Sequence, residues 1–232
     1  MAETTRGSSR MVDEFVLDNG LRVIAEYIPH FPSVSVGLWI GAGSMYESKA
    51  ENGLSHFVEH MLFKSTENRS TKEIAVEMDA LGGHVNAFTS KECTCYYAKV
   101  IGEHLERAMS LLSDLLLNAK MDEEEFEKER GVILEEKRTR NTAQWRVRTA
   151  ACEALFNGTK YATCSIIGSE ENLKTFKPEE LVNFYKTWYR PDMQAIIVVG
   201  DVDVKSVENK IKNLFGQLPK AENPKAKDVI LI

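Results

Sequence analysis

The chain has 232 residues, 43% of them hydrophobic, with 29 basic and 35 acidic side chains for a formal net charge of −6. That length can bury a sizeable core and fits one large domain or two small ones. The acidic balance leaves no electrostatic footprint for nucleic acid and weakly favours cationic partners, and no apolar run approaches the span of a bilayer, so neither nucleic acid nor membrane is an expected partner.

The opening residues MAETTRGSSR are polar and lack the apolar centre of a secretory signal. Residues 1–12 are read as a flexible leader and 13–232 as a single domain. EFVLDNGLRVIAEYI is two alternating apolar runs around Asp18-Asn19-Gly20, and an Asn-Gly pair between such runs predicts a hairpin. SVSVGLWIGAGS reads as a third strand ending in glycines. A segment rich in histidine follows, and then Ser70-x-x-Glu73 forms a capping box that opens a helix stopping at Gly82-Gly83. HVNAFTS and CTCYYAKV are strand-like and joined by a short polar turn. From Gly102 the pattern turns helical, through EHLERAMSLLSDLLLNA, DEEEFEKERGVILEEKRTR with its Asp-x-x-Glu cap, and QWRVRTAACEALF. KPEELVNFYKTWY is a helix with proline at its start, MQAIIVVG a buried strand, and VKSVENKIKNLF a final amphipathic helix. Runs of strands among helices, with few long crossovers, indicate an α+β fold. Trp145 and Trp188 are expected to be packing anchors. Cys93, Cys95, Cys152 and Cys164 are too sparse for a disulfide framework, and Cys93 and Cys95 would share one strand face without bridging comfortably. They are read as reduced thiols, which places the protein in the cytoplasm or, alternatively, an organelle matrix.

GLSHFVEHMLFKST carries two histidines and a glutamate within five residues. On a wheel of about 100° per residue, Leu54, Phe57, Val58, Met61 and Leu62 form one stripe and His56 and His60 lie opposite. Residues at i and i+4 are neighbours, so the two imidazoles can converge on one ion, and zinc accepts imidazole nitrogen. Glu59 lies beside the pair, where a carboxylate can take a proton from water. Two ligands do not make a catalytic site, and a third must come from elsewhere. With Phe126 and Ile133 as the buried line of DEEEFEKERGVILEEKRTR, Glu129 and Glu136 fall within roughly 60° of Ile133, whereas Glu135 lies about 160° away. An inward Glu136 is either a metal ligand or the partner of Arg140 in an i,i+4 ion pair, and the wheel leaves both open.

His-x-x-Glu-His is the inverted zinc motif. GLSHFVEHMLFKST, LGGHVNAFTSKECTCYYAKV and KERGVILEEKRTR, in that order and spacing, closely resemble the pitrilysin and mitochondrial-processing-peptidase family, and the likeness extends from the Asn19-Gly20 hairpin through WYRPDMQAIIVVGDV. The resemblance implies a largely antiparallel sheet packed by helices, half of a LuxS/mitochondrial-processing-peptidase-like metallohydrolase. It implies one Zn2+ per chain held by His56, His60 and Glu136, with Glu59 as general base and Glu129 as an additional acidic group near the metal. It further implies that Asn86, Ala87, Phe88 and Thr89 contact an extended peptide that adds to their strand. A family chain has two homologous halves closing around the peptide; this sequence resembles the metal-bearing N-terminal half, and NPKAKDVILI stops where such a chain runs on. The expected function is a zinc metalloendopeptidase, a hydrolase acting on short unfolded peptides or presequences. Its expected partners are the peptide and either a second copy in a homodimer or a complementary C-terminal-half subunit. Two alternatives are a non-catalytic binding or assembly subunit (or an isolated inactive domain), and a structural zinc module using Cys93 and Cys95 with His84 or His104.

Overall fold

The computed structural model describes residues 11–221. The leader expected over 1–12 lies outside the described residues up to residue 10, while Met11 and Val12 belong to the first strand. Strands β1 (Met11–Val16) and β2 (Arg22–Tyr27) form the predicted antiparallel hairpin. Its turn is closed by bonds from Leu17 N to Leu21 O and from Gly20 N to Leu17 O. Asn19 is buried there and donates its side-chain amide to Phe215 O at 2.9 Å, which ties the hairpin to the end of the last helix.

With β3 (Ser33–Ile40), β4 (His84–Thr89), β5 (Thr94–Ile101) and β6 (Gln194–Gly200), the hairpin builds a six-stranded sheet in the order β1-β2-β6-β3-β5-β4. The strand pairs are antiparallel except β2–β6, which is parallel. β6 is the last strand in sequence yet lies in the middle of the sheet, which explains its nearly continuous apolar run. β4 lies at the edge.

Because side chains alternate along a strand, Val34, Val36, Leu38 and Ile40 share one face with Val23, Tyr96, Ala98, Val100 and Val198, and all of these are buried. Helix α1 (Leu54–Leu62) packs on β4, and α2 (Thr71–Ala80) follows with its Ser70–Glu73 capping box formed in both directions. Helix α3 (Leu105–Leu117) lies on β3 and β5. Next come α4 (Glu123–Arg140), capped by Asp122, and α5 (Ala143–Leu155), then the short α6 (Lys160–Thr163) and α7 (Glu170–Thr175). Helix α8 (Pro178–Trp188) packs on α1, and α9 (Val204–Phe215) covers β2. On the opposite sheet face Phe88 lies between Trp39 and Tyr97, with ring centroids 5.7 Å and 6.3 Å away respectively.

The connection from α1 to α2 is fastened to α3 by one buried carboxylate. Asp114 accepts from Thr66 Oγ1 at 2.7 Å, Asn68 Nδ2 at 2.5 Å, Arg69 Nη1 at 2.6 Å and Asn118 Nδ2 at 2.7 Å. Two expectations change. Trp188 does pack, against Tyr46 and Phe184, but Trp145 is exposed on a helix that buries none of its residues. Cys93 lies in the turn before β5, so it does not share a strand face with Cys95.

Candidate metal centre

Helix α1 starts at Gly53, whose φ of 113° suits glycine, and a Cβ there would meet Gly168 Cα at 3.0 Å. No side chain of the N-cap satisfies the first N–H groups; Glu47 does so from outside the helix. Its buried carboxylate accepts from Gly53 N at 2.8 Å and Asn52 Nδ2 at 2.9 Å on one oxygen, and from Ser55 N at 2.7 Å on the other. A negative charge at this end also complements the helix dipole. Burial pushes the Glu47 carboxyl above its ordinary pKa, against the pull of these donors.

The apolar stripe Leu54, Phe57, Val58, Met61 and Leu62 is buried as expected. The opposite side is covered too: His56 is only 5% exposed, because α4 lies over it. Phe57 stacks on Phe126 of α4, with centroids 4.6 Å apart and planes 4° from parallel. Truncating either ring would cost about 3–5 kcal/mol. The stack sets the register of the two helices. Along α4, Phe126, Glu129, Ile133 and Glu136 follow one another on the inward face, so the two glutamates arrive opposite His60 and His56. Glu135 points to water and pairs with Arg138 at 2.6 Å.

Glu136 Oε2 lies 3.6 Å from His56 Nε2 and 3.5 Å from His60 Nε2. That oxygen is buried and accepts no hydrogen bond, and His56 Nδ1 is likewise unpartnered. The other oxygen of Glu136 takes Arg140 Nη2 at 2.5 Å. The ion pair with Arg140 is thus formed on one oxygen, and the other oxygen faces the two imidazoles, where it could serve as a ligand. Among the described residues His56, His60 and Glu136 form the one group of three metal-ligating side chains whose ligand atoms approach within 4.8 Å. A tetrahedron with arms of about 2.1 Å has edges of about 3.4 Å, so the spacing and the nitrogen–oxygen donor set fit zinc. The cysteine-based alternative has no such cluster among the described residues, since His84 contacts Tyr97 OH and His104 contacts Leu81 O.

Around this triangle stand the remaining predicted residues. Glu129, 4% exposed, presents Oε2 to His60 Nδ1 at 3.0 Å and Oε1 to Lys64 Nζ at 2.5 Å. Glu59 Oε2 accepts from Thr89 Oγ1 at 2.5 Å, leaving Oε1 for other chemistry. Burial and the neighbouring His60 lower the His56 pKa to about 4. Burial also opposes charge on His60, but Glu129 and Glu136 outweigh it and raise that group to about 9. Burial raises the Glu59 carboxyl despite the Thr89 hydroxyl.

β4 splits its four predicted substrate residues. Ala87 and Thr89 face α1, and Thr89 reaches Glu59. Asn86 and Phe88 face the other side of the sheet, where Phe88 meets Trp39 and Asn86 Oδ1 accepts from Ala87 N at 2.9 Å. The backbone edge of β4 has no strand partner among the described residues. Two residues of the site, Glu47 and Lys64, are not singled out by the sequence reading. A weak signal existed for Lys64, a cation four residues after His60 and just past the end of α1, within reach of an inward Glu129. Glu47 had none, because its contacts depend on how a loop folds back.

Comparison with known proteins gives a consistent picture. The family described as insulinase (peptidase family M16) matches residues 22–166, and the peptidase M16 inactive domain matches residues 175–231. The uncharacterized zinc protease YmxG of Bacillus subtilis is 39% identical over 201 residues, 85% of this chain and 49% of that protein. The beta subunit of the mitochondrial-processing peptidase of Bos taurus is 38% identical over 208 residues, 87% of this chain and 41% of that one. Among solved structures, the periplasmic protease PqqL of Escherichia coli superposes with a TM-score of 0.87 at 31% identity, covering 94% of this chain and 25% of that one. The chain thus spans about half the length of the curated relatives it matches.

Proposed function

The chain belongs to peptidase family M16, and from that premise we propose that it is the metal-bearing half of a zinc endopeptidase acting on extended, unfolded peptides. One observation carries the reading: a buried glutamate oxygen without a hydrogen bond, 3.5 Å and 3.6 Å from two imidazole nitrogens of a single helical turn. A buried carboxylate oxygen left in that state is costly unless something else occupies the gap.

In this reading His56, His60 and Glu136 would hold one zinc ion, which would supply Lewis acidity toward a water and a peptide carbonyl. Glu59 accepts a proton from the attacking water on Oε1 while Thr89 holds Oε2, and returns it to the leaving amine. Its raised pKa suits that exchange. Glu129 fixes the His60 ring by taking its Nδ1–H, which directs the Nε2 lone pair into the triangle. The free edge of β4 offers its backbone to an extended peptide, with Ala87 and Thr89 on the side of Glu59. A second lobe, in the same polypeptide, a homodimer partner or a separate subunit, would close over the peptide. The open β4 edge and the partial exposure of Glu136 leave room for it. Four free thiols fit a reducing compartment, the cytoplasm or an organelle matrix.

The test is Glu59→Gln. Cleavage of a quenched peptide library should fall at least about a hundredfold while zinc content stays at one per chain. Cleavage at the wild-type rate would refute the assigned chemistry.

A further inference from the structure

We propose that Lys64 is a positioning residue of the metal centre, acting through Glu129 to hold the His60 ring in its ligating orientation. This role rests on the zinc-site reading but not on peptidase activity. Lys64 lies four residues after His60, just beyond the end of α1, where the chain turns away, and its ammonium reaches Glu129 Oε1 at 2.5 Å. The same carboxylate places Oε2 on His60 Nδ1 at 3.0 Å. Glu129 is therefore held at both oxygens by groups from one segment, and its side chain is almost fully buried while Lys64 remains 24% exposed.

The geometry makes the lysine more than a surface ion pair. A carboxylate with one anchored oxygen can rotate about its terminal torsion, which is soft and broad, and carry the other oxygen off the imidazole. Anchoring Oε1 removes that freedom and keeps Oε2 on the imidazole of His60. Nδ1 then holds its proton toward Glu129, and Nε2, 3.5 Å from Glu136 Oε2, is the nitrogen left to face a metal ion. Among the described residues the hydrogen bonds and ion pairs of the Glu129 carboxylate go to His60 and Lys64, so the lysine alone braces the oxygen that faces away from the ring. His56, whose Nδ1 has no partner, has no corresponding brace, so the pre-orientation of the pair falls on His60.

The experiment measures zinc affinity of the full chain by competition with a chromophoric chelator, beside thermal unfolding of the chelator-treated protein. Lys64→Met keeps the length and apolar stem while removing the charge; it should weaken zinc binding about tenfold, in the range found for partners behind a ligand. Lys64→Arg restores a cation to Glu129 and should recover most of the affinity. Glu129→Gln should weaken binding at least as much as Lys64→Met, and the double variant should lose little more than the single one, because both act along one chain of contacts. Zinc affinity of Lys64→Met within twofold of wild type would overturn the proposal, as would equal losses in Lys64→Met and Lys64→Arg. A Lys64→Met chain that is less stable without zinc yet binds zinc normally would assign the lysine to folding alone and also overturn it. Wild-type protein that takes up no zinc would overturn the metal-site reading itself, an outcome distinct from a wild type that binds while Lys64→Met is unchanged.

Discussion

Replacing Glu47 by glutamine tests whether the metal-site helix is held by a carboxylate outside it. The substitution is nearly isosteric, so packing is conserved. Three donors meet the carboxylate, Gly53 N and Asn52 Nδ2 on Oε2 and Ser55 N on Oε1. An amide does best by turning its oxygen to the first two, and its NH2 then confronts the Ser55 N–H. One charge-assisted bond is lost, about 1.5 kcal/mol, and one buried donor is left unsatisfied, about 1–2 kcal/mol more. The reduced desolvation of a neutral group offsets a part, since burial already raises the Glu47 pKa. The balance is about 2–3 kcal/mol. For a domain of this size each kcal/mol moves Tm by about 2–4 °C, so the chelator-treated variant should melt about 4–12 °C lower by circular dichroism. Zinc should restore part of the difference in both proteins. A Tm change under about 1 °C would refute the idea that this carboxylate holds the start of α1.

Two further substitutions probe the sheet edge and the connection between α1 and α2. Asp114→Asn should destabilise by about 3 kcal/mol at neutral pH, since four donors converge on that carboxylate. Burial raises the Asp114 pKa, but Asn68, Thr66, Asn118 and Arg69 together bring it below its ordinary value; its contribution is therefore full above the unfolded pKa of about 3.9 and is lost as pH falls through the lower folded one. Urea midpoints measured from neutral pH downward should show a smaller acid-side loss in the variant, and parallel acid limbs would contradict this. Thr89→Val removes the hydroxyl that steadies Glu59 and should lower kcat on peptide about tenfold with KM and zinc content little changed, whereas Thr89→Ser should retain most of the rate. A kcat loss equal in both variants would assign Thr89 to strand packing instead.

What the sequence makes legible is local or periodic. The Asn19-Gly20 hairpin, the Ser70–Glu73 capping box and the Asp122 cap are short-range chemistry, and each is found where the residues place it. Glu136 is legible through the helical wheel because α4 is regular enough for Phe126 and Ile133 to define its inward face. The position of β6 between β2 and β3 is not, because a strand's neighbours are chosen by contacts with segments far along the chain. The opposite facing of Phe88 and Thr89 follows from strand alternation, yet which of the two meets Glu59 depends on the side from which α1 approaches. Trp145 illustrates the converse: an aromatic side chain at helical spacing predicts burial only where a second surface is present to bury it.

The back-to-back approach of Gly53 and Gly168 has a consequence for the order of assembly. A Cβ on Gly168 would meet Asn52 O at 2.5 Å, and around it Asn52 Nδ2 bonds Ser165 O, Asn172 Nδ2 bonds Lys49 O, and Lys137 Nζ bonds Gly168 O. The histidine helix is thus clasped at its beginning by a loop synthesised more than a hundred residues later. A chain emerging from the ribosome exposes both histidines long before that clasp exists, so the start of this helix is fixed only after residues 165–172 have been synthesised.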